Sequence, residues 1–192
     1  MENLARDIPT VTELIDGKIH RMAQYSRMDH NFTVLNLYGA FANYLKGKSC
    51  KTIMGGMDVF LDKKNRYVPD VMIVCDRSKI QRDGVHGAPD LVVEVLSPST
   101  MMNDRGAKMR NYAAAGVKEY WLVLPVGKTV EVYLNYDGRF ELNATYTEYD
   151  AWELAHMDDD ERAEVRTEIP VSIYEDFRVP LADMFDDIDD FT

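Results

Sequence analysis

The chain has 192 residues and a mass of 22.0 kDa, with 46% hydrophobic and 29% charged residues. This size and mix exclude a disulfide scaffold, a fibrous protein and a wholly disordered chain. The net charge of -11 is uneven, because residues 1–147 carry 19 basic against 17 acidic residues and residues 148–192 carry 3 against 16. We therefore expect one domain over residues 1–185 and an acidic tail over 186–192, and a nucleic-acid partner stays open.

The first predicted elements are a hairpin and a helix. Residues 12–22 (TELIDGKIHRM) surround Asp16-Gly17, a common hairpin turn. Apolar residues from Val34 to Leu45 recur near helical spacing, and Gly47 is expected to end that helix. A strand over residues 51–62 follows.

Two strongly apolar runs come next, Val68–Cys75 and Asp90–Leu96. Both are short, rich in β-branched residues and bounded by turn residues, which predicts strands buried on both faces of a sheet. A helix is then expected over Ser99–Ala115, with Gly116 ending it.

The remaining sequence predicts strands over residues 118–125 and 128–136 and a further strand near Val171–Tyr174. The order of elements indicates an α/β fold, a mixed sheet flanked by helices, with an N-terminal hairpin and extra C-terminal strands.

The two cysteines, Cys50 and Cys75, lie in different segments without C-x-x-C spacing, and we expect reduced thiols rather than a zinc site. No run approaches the roughly 18 apolar residues of a membrane helix, and MENLARDIPT lacks an apolar signal region. We therefore expect a cytoplasmic protein without a membrane partner.

Asp70 and Glu94 are the residues that indicate chemistry, because each lies in a strand predicted to be buried. A buried carboxylate is costly unless it is paired, and two on neighbouring strands also repel each other. A divalent cation compensates both, and Mg²⁺ favours carboxylate, water and phosphate oxygens. Together these residues suit metal-assisted phosphodiester hydrolysis.

Lys108 is the third candidate, since Asp104, Lys108 and Tyr112 are spaced four apart on one face of the following helix. Its ammonium could orient the attacking water or stabilise the developing charge. Structural alternatives stay open: Asp70 as a turn cap, Glu94 in a buried salt bridge with Lys108, and Lys108 in an exposed pair with Asp104. Structural roles are favoured for Glu13, His30, Asp58, Asp90 and Ser97.

Several of these residues lie in segments that resemble the Uma-two family of restriction endonucleases, within the PD-(D/E)XK nuclease superfamily. The resemblance covers roughly residues 11–185 and is most specific from Pro89 to Trp121. The matching segments are Val68-Pro69-Asp70, Ala88–Thr100, Lys108, Tyr112, Gly116–Val123, Glu13–Ile19 and Phe177–Phe185.

The resemblance implies a restriction-endonuclease-like core in which Asp70, Glu94 and the backbone carbonyl of Val95 are metal ligands. The superfamily's lysine normally lies two residues after the acidic residue, where this chain has Leu96. Lys108 is then the candidate for that role.

The expected function is a Mg²⁺-dependent endonuclease acting on DNA, with Mn²⁺ as a possible substitute and a homodimer as a possible assembly. Basic residues that could meet phosphates are Lys46, Lys48, Lys51, Lys63, Lys64 and Arg66. Two other hypotheses stay open, namely an inactive nucleic-acid-binding relative and a protein-interaction module that uses its acidic tail.

Overall fold

The computed structural model describes residues 11–21 and 27–188. These residues form two six-stranded sheets, a two-stranded sheet and six α-helices. The strands are β1 (Thr12–Ile15), β2 (Lys18–Arg21), β3 (Lys51–Met54), β4 (Asp58–Phe60), β5 (Arg66–Tyr67), β6 (Val71–Val74), β7 (Ile80–Gln81), β8 (Gly84–His86), β9 (Leu91–Val95), β10 (Glu119–Leu124), β11 (Thr129–Tyr136), β12 (Arg139–Thr147), β13 (Glu168–Pro170) and β14 (Arg178–Pro180). The helices are α1 (Met28–Leu45), α2 (Met101–Asn103), α3 (Met109–Ala115), α4 (Ala151–His156), α5 (Asp159–Glu164) and α6 (Leu181–Met184), with a 3₁₀ turn over Arg77–Lys79 and a π-turn over Asp104–Lys108.

The central sheet has the strand order β12-β11-β10-β9-β6-β3. Strands β9 and β10 are parallel, and the other neighbours are antiparallel. A parallel pair needs a crossover, and the helical segment from α2 to α3 supplies it. The mixed sheet flanked by helices is thereby confirmed.

Both faces of the central sheet are covered, which explains its continuous apolar runs. On one face, Val71 and Ile73 pack in the core that contains α1 and the C-terminal segment. On the other face, Met72 and Val74 pack in a second core with residues of the flanking sheet. That flanking sheet has the order β2-β1-β5-β4-β8-β7 and begins with the predicted hairpin.

The helix expected over residues 99–115 is present but interrupted. Gly106, inside the π-turn, has non-helical angles (φ -113°, ψ -105°). Gly116 follows α3 with a φ of 96°, a left-handed conformation that glycine adopts without strain, and it ends the helix as predicted.

The prediction of a strand near Val171–Tyr174 is wrong. Ser172 donates its backbone N–H and its hydroxyl to Glu119 Oε2, at 2.8 and 2.5 Å, instead of to a neighbouring strand. The segment forms turns between β13 and β14, which pair with each other.

The prediction of reduced thiols is also wrong, because Cys50 and Cys75 form a disulfide. Antiparallel pairing of Lys51 with Val74 brings the two cysteines opposite each other, one step beyond the ladder. The separation of the two cysteines along the chain does not reveal this pairing. Because the thiols are not free, they no longer support a cytoplasmic location.

The acidic tail is described only as far as residue 188, and residues 189–192 lie outside the described residues. Asn36 Nδ2 donates to the backbone oxygen of Asp186 at 2.9 Å, and Ile188 is buried. The described part of the tail therefore packs against α1.

Candidate active site

Strand register brings Asp70 and Glu94 together. In the antiparallel pair of β6 and β9, Val71 lies opposite Val93, so Asp70 precedes β6 at the position next to Glu94. Asp70 Oδ2 accepts the backbone N–H of Val95 at 2.7 Å. Both carboxylates line a cavity of about 340 Å³.

Lys108 lies at the buried wall of this cavity, with 2% of its side chain exposed. Its Nζ is 2.7 Å from Glu94 Oε1, 3.1 Å from Glu13 Oε1 and 3.1 Å from Asp104 Oδ1. The contact with Asp104 is an ion pair without hydrogen-bond geometry. The buried salt bridge between Lys108 and Glu94, one of the structural alternatives, is therefore present. The prediction of an exposed pair between Lys108 and Asp104 is wrong, because that pair is buried.

The cluster of Glu13, Glu94, Asp104 and Lys108 contains three carboxylates and one ammonium, all buried. Burial raises the pKa of Glu94 well above its usual value; the Lys108 ammonium opposes this shift, and the neighbouring acids reinforce it. Burial alone would lower the pKa of Lys108, but the carboxylates raise it. The ammonium thus stays charged, and the excess negative charge favours binding of a proton or another cation.

Tyr112 lies on the same helical segment and donates its hydroxyl to Glu94 Oε1 at 3.1 Å. Burial raises the pKa of Tyr112 well above its usual value, so the phenol remains a neutral donor. Glu94 is therefore held by Lys108 and Tyr112 together.

Two residues assigned structural roles from the sequence lie at the site. Glu13 reaches it from β1, where its Oε1 also accepts the backbone N–H of Val68 at 2.9 Å. His30 lines the cavity with Nε2 3.4 Å from Asp70 Oδ1. Burial alone would lower the pKa of His30, but the Asp70 carboxylate raises it.

Other candidates have structural contacts. Asp90 accepts from Cys75 N and pairs with Lys118, each at 2.8 Å. Asp58 pairs with Arg66 at 2.7 Å. The Ser97 hydroxyl lies at the cavity but is bonded to the neighbouring hydroxyls of Ser99 and Thr100.

The predicted phosphate-binding residues are not gathered at the cavity. Lys46, Lys48 and Lys51 lie near the C-terminal end of α1, whereas the N-terminal end of α1 contacts the cavity. Because α1 has 18 residues, its two ends are about 27 Å apart. Lys63, Lys64 and Arg66 lie around the turn between β4 and β5. Among the described residues that line the cavity, the basic side chains are Arg27, His30 and Lys108.

No group of three His, Cys, Asp or Glu side chains converges as a metal cluster in residues 11–21 and 27–188. Metal binding by Asp70, Glu94 and the Val95 carbonyl remains a prediction.

In the part of the chain that the structure describes, no helix combines the length and apolar character needed to cross a bilayer.

Comparison with solved structures gives the fold. The chain is similar to the crystal structure of "a putative nuclease belonging to DUF820" from Anabaena variabilis, with a TM-score of 0.68 and 20% identity, and the match covers 93% of each chain.

Comparison with sequences gives the family. The chain is 34% identical to an uncharacterised protein of Synechocystis over an alignment of 146 residues, and the match covers 74% of this chain and 75% of that one. The family model Uma2, described as "Putative restriction endonuclease", matches residues 6–160. With that match over most of its length, the chain belongs to the Uma2 family.

Proposed function

We propose that this protein is a divalent-metal-dependent endonuclease that hydrolyses DNA phosphodiester bonds. The observation that carries the proposal is the pair of strand carboxylates, Asp70 and Glu94, beside a buried cluster with excess negative charge. The description of the family and that of the similar crystal structure support the same reaction class.

The residues fit Mg²⁺ or Mn²⁺ by the chemistry of their donors, which are hard carboxylate oxygens. Asp70 is fixed through Oδ2, and the described contacts of Glu94 with Lys108 and Tyr112 involve Oε1. Asp70, Glu94 and the Val95 carbonyl would hold the ion. A bound ion would lower the pKa of a coordinated water and neutralise charge on the phosphate.

The contacts of Lys108 support a positioning role. Its ammonium fixes Glu94 and offsets part of the buried negative charge. Its predicted assistance to the attacking water remains part of the proposal, because the lysine also lines the cavity.

A second candidate is a relative that binds nucleic acid without cleaving it. Lys108 is already paired with three carboxylates, which favours this alternative over a lysine free to act on water. Cleavage separates the two candidates, whereas DNA binding is expected of both.

Titration calorimetry with Mg²⁺ and Mn²⁺ tests the site, comparing the native chain with Asp70→Asn and Glu94→Gln. Both substitutions keep the side-chain shape and remove a negative charge. We expect metal binding to be lost or weakened at least tenfold in each. Asp83→Asn is the control, because Asp83 is exposed and pairs with His86 away from the cavity.

The same variants are then incubated with supercoiled plasmid, single-stranded DNA and RNA in the presence of each metal. Metal-dependent cleavage by the native chain and the control, but not by the two site variants, is the expected result. Metal and DNA binding without cleavage would favour the non-cleaving relative. No metal binding at millimolar concentrations, with or without DNA, would refute the nuclease and leave the relative that binds nucleic acid without cleavage.

A further inference from the structure

We infer that His30 is a positioning residue that holds Asp70 in its metal-binding orientation. The inference rests on the proposed function. In the first turn of α1, His30 Nε2 lies 3.4 Å from Asp70 Oδ1. Neither side chain is fully buried, with 17% and 21% exposed, and both line the cavity.

The position of His30 on α1 is unusual for a surface residue. The buried residues of the helix include Val34, Leu37, Phe41 and Leu45, spaced three and four apart. His30 lies four residues before Val34 and so continues this stripe by one turn. The stripe ends at the cavity, where an imidazole replaces the apolar side chain that the core would otherwise favour.

Asp70 is contacted on both oxygens by different elements. The backbone N–H of Val95, in β9, donates to Oδ2 at 2.7 Å, and the His30 ring faces Oδ1. The terminal torsion of an aspartate is broad, so one hydrogen bond leaves the carboxylate free to rotate. A second contact narrows that freedom before an ion binds.

The arrangement parallels the support of Glu94. A residue of the helical segment after β9, Lys108, fixes Glu94, and a residue of α1 faces Asp70. Groups that orient metal ligands without touching the metal typically change metal affinity by about 10- to 100-fold.

Calorimetric titration with Mn²⁺ tests the inference in the native chain, His30→Ala and His30→Gln. The glutamine amide nitrogen can take the place of Nε2, whereas alanine removes the contact. We expect His30→Ala to weaken Mn²⁺ binding about tenfold or more and His30→Gln to recover most of the loss. Thermal unfolding without metal shows whether each variant is folded.

His86→Ala is the matched control, because His86 also pairs with an aspartate, Asp83, but outside the cavity. It should bind Mn²⁺ as the native chain does. If His30→Ala does not fold, His30→Leu replaces it, since leucine extends the apolar stripe.

Native affinity in the alanine or leucine variant would overturn the inference and leave the proposed metal site standing. A folded glutamine variant as weak as alanine would also overturn it. Failure of the native chain to bind Mn²⁺ would overturn the inference together with the proposed function.

Discussion

Lys108 balances carboxylates that come from three separate parts of the chain. Glu13 belongs to the N-terminal hairpin, Glu94 to a central strand and Asp104 to the π-turn. Buried ions lose solvation, so removing the ammonium would leave three acids without their shared partner.

Replacing Lys108 with methionine should therefore lower the free energy of unfolding by about 3–5 kcal/mol. Urea unfolding in the absence of divalent cations measures the loss. Lys118→Met is the control, because the Lys118 side chain is 71% exposed in its pair with Asp90, and it should cost about 1 kcal/mol or less. Equal losses in the two variants would contradict the role of the buried cluster.

The sequence could predict those site residues that carry a local signal. Asp70 and Glu94 are acids inside apolar strand runs, and Lys108 shares a helix face with Asp104. Glu13 lies 95 residues from Lys108, and no pattern within the hairpin indicates that contact. His30 lies in line with the apolar residues of α1, which indicates an inward-facing side chain. The spacing alone does not show that this line of residues ends at a cavity.

Elements with a continuous apolar pattern in their own sequence were easier to predict than elements set by a single contact elsewhere in the chain. The strands of the central sheet have apolar runs because both of their faces are covered. The turn at residues 171–177 was missed because Ser172 bonds to a side chain of β10, not to a strand. The π-turn was missed because helical periodicity does not reveal the break at Gly106.

Glu119 links β10 to that C-terminal turn. Its carboxylate also accepts from Trp121 Nε1 at 2.6 Å. Burial raises the pKa of Glu119 above its ordinary value of 4.5, although Ser172 and Trp121 oppose the shift. The folded chain therefore holds this proton more tightly than the unfolded chain does.

It follows that Glu119 lowers the free energy of unfolding as pH rises from about 4.5 through its raised pKa. Glu119→Gln stays neutral, so its stability should fall less steeply over this range. The variant should also be less stable near neutral pH, because the single amide oxygen cannot accept from both Ser172 and Trp121 as the two carboxylate oxygens do. Denaturant unfolding at a series of pH values measures both effects, and an unchanged slope would contradict the burial argument.

At the scale of the whole molecule, the acidic C-terminal quarter lies partly beside the site. Val126 lines both the candidate active-site cavity and a neighbouring groove that includes Glu148, Asp150 and Glu153. Asp150 and Glu153 also form the capping box of α4. These two acids of the C-terminal quarter thus have a structural role at the start of α4.

Negative charge beside the cavity should oppose the approach of a phosphate backbone. Asp150→Asn together with Glu153→Gln removes two charges and keeps side chains that can form the cap. At low salt we expect DNA to bind about two- to tenfold more tightly, with the gain shrinking as salt is added. Fluorescence anisotropy with labelled DNA measures the affinity.

Asp137→Asn with Glu141→Gln is the matched control for this pair. It removes the same charges near the turn between β11 and β12, at the opposite end of those strands from the groove. An equal gain in both double variants would indicate a general effect of net charge, which would contradict a local one.

The register of β6 and β9 has an evolutionary consequence. Side chains alternate between the faces of a strand, so adding or deleting one residue between Asp70 and Ile73 would turn Asp70 toward the apolar core around α1. Glu94 would remain on its original face. Along a lineage, these strands can therefore exchange one apolar residue for another far more readily than they can change length, and an odd-numbered insertion or deletion there would separate the two carboxylates.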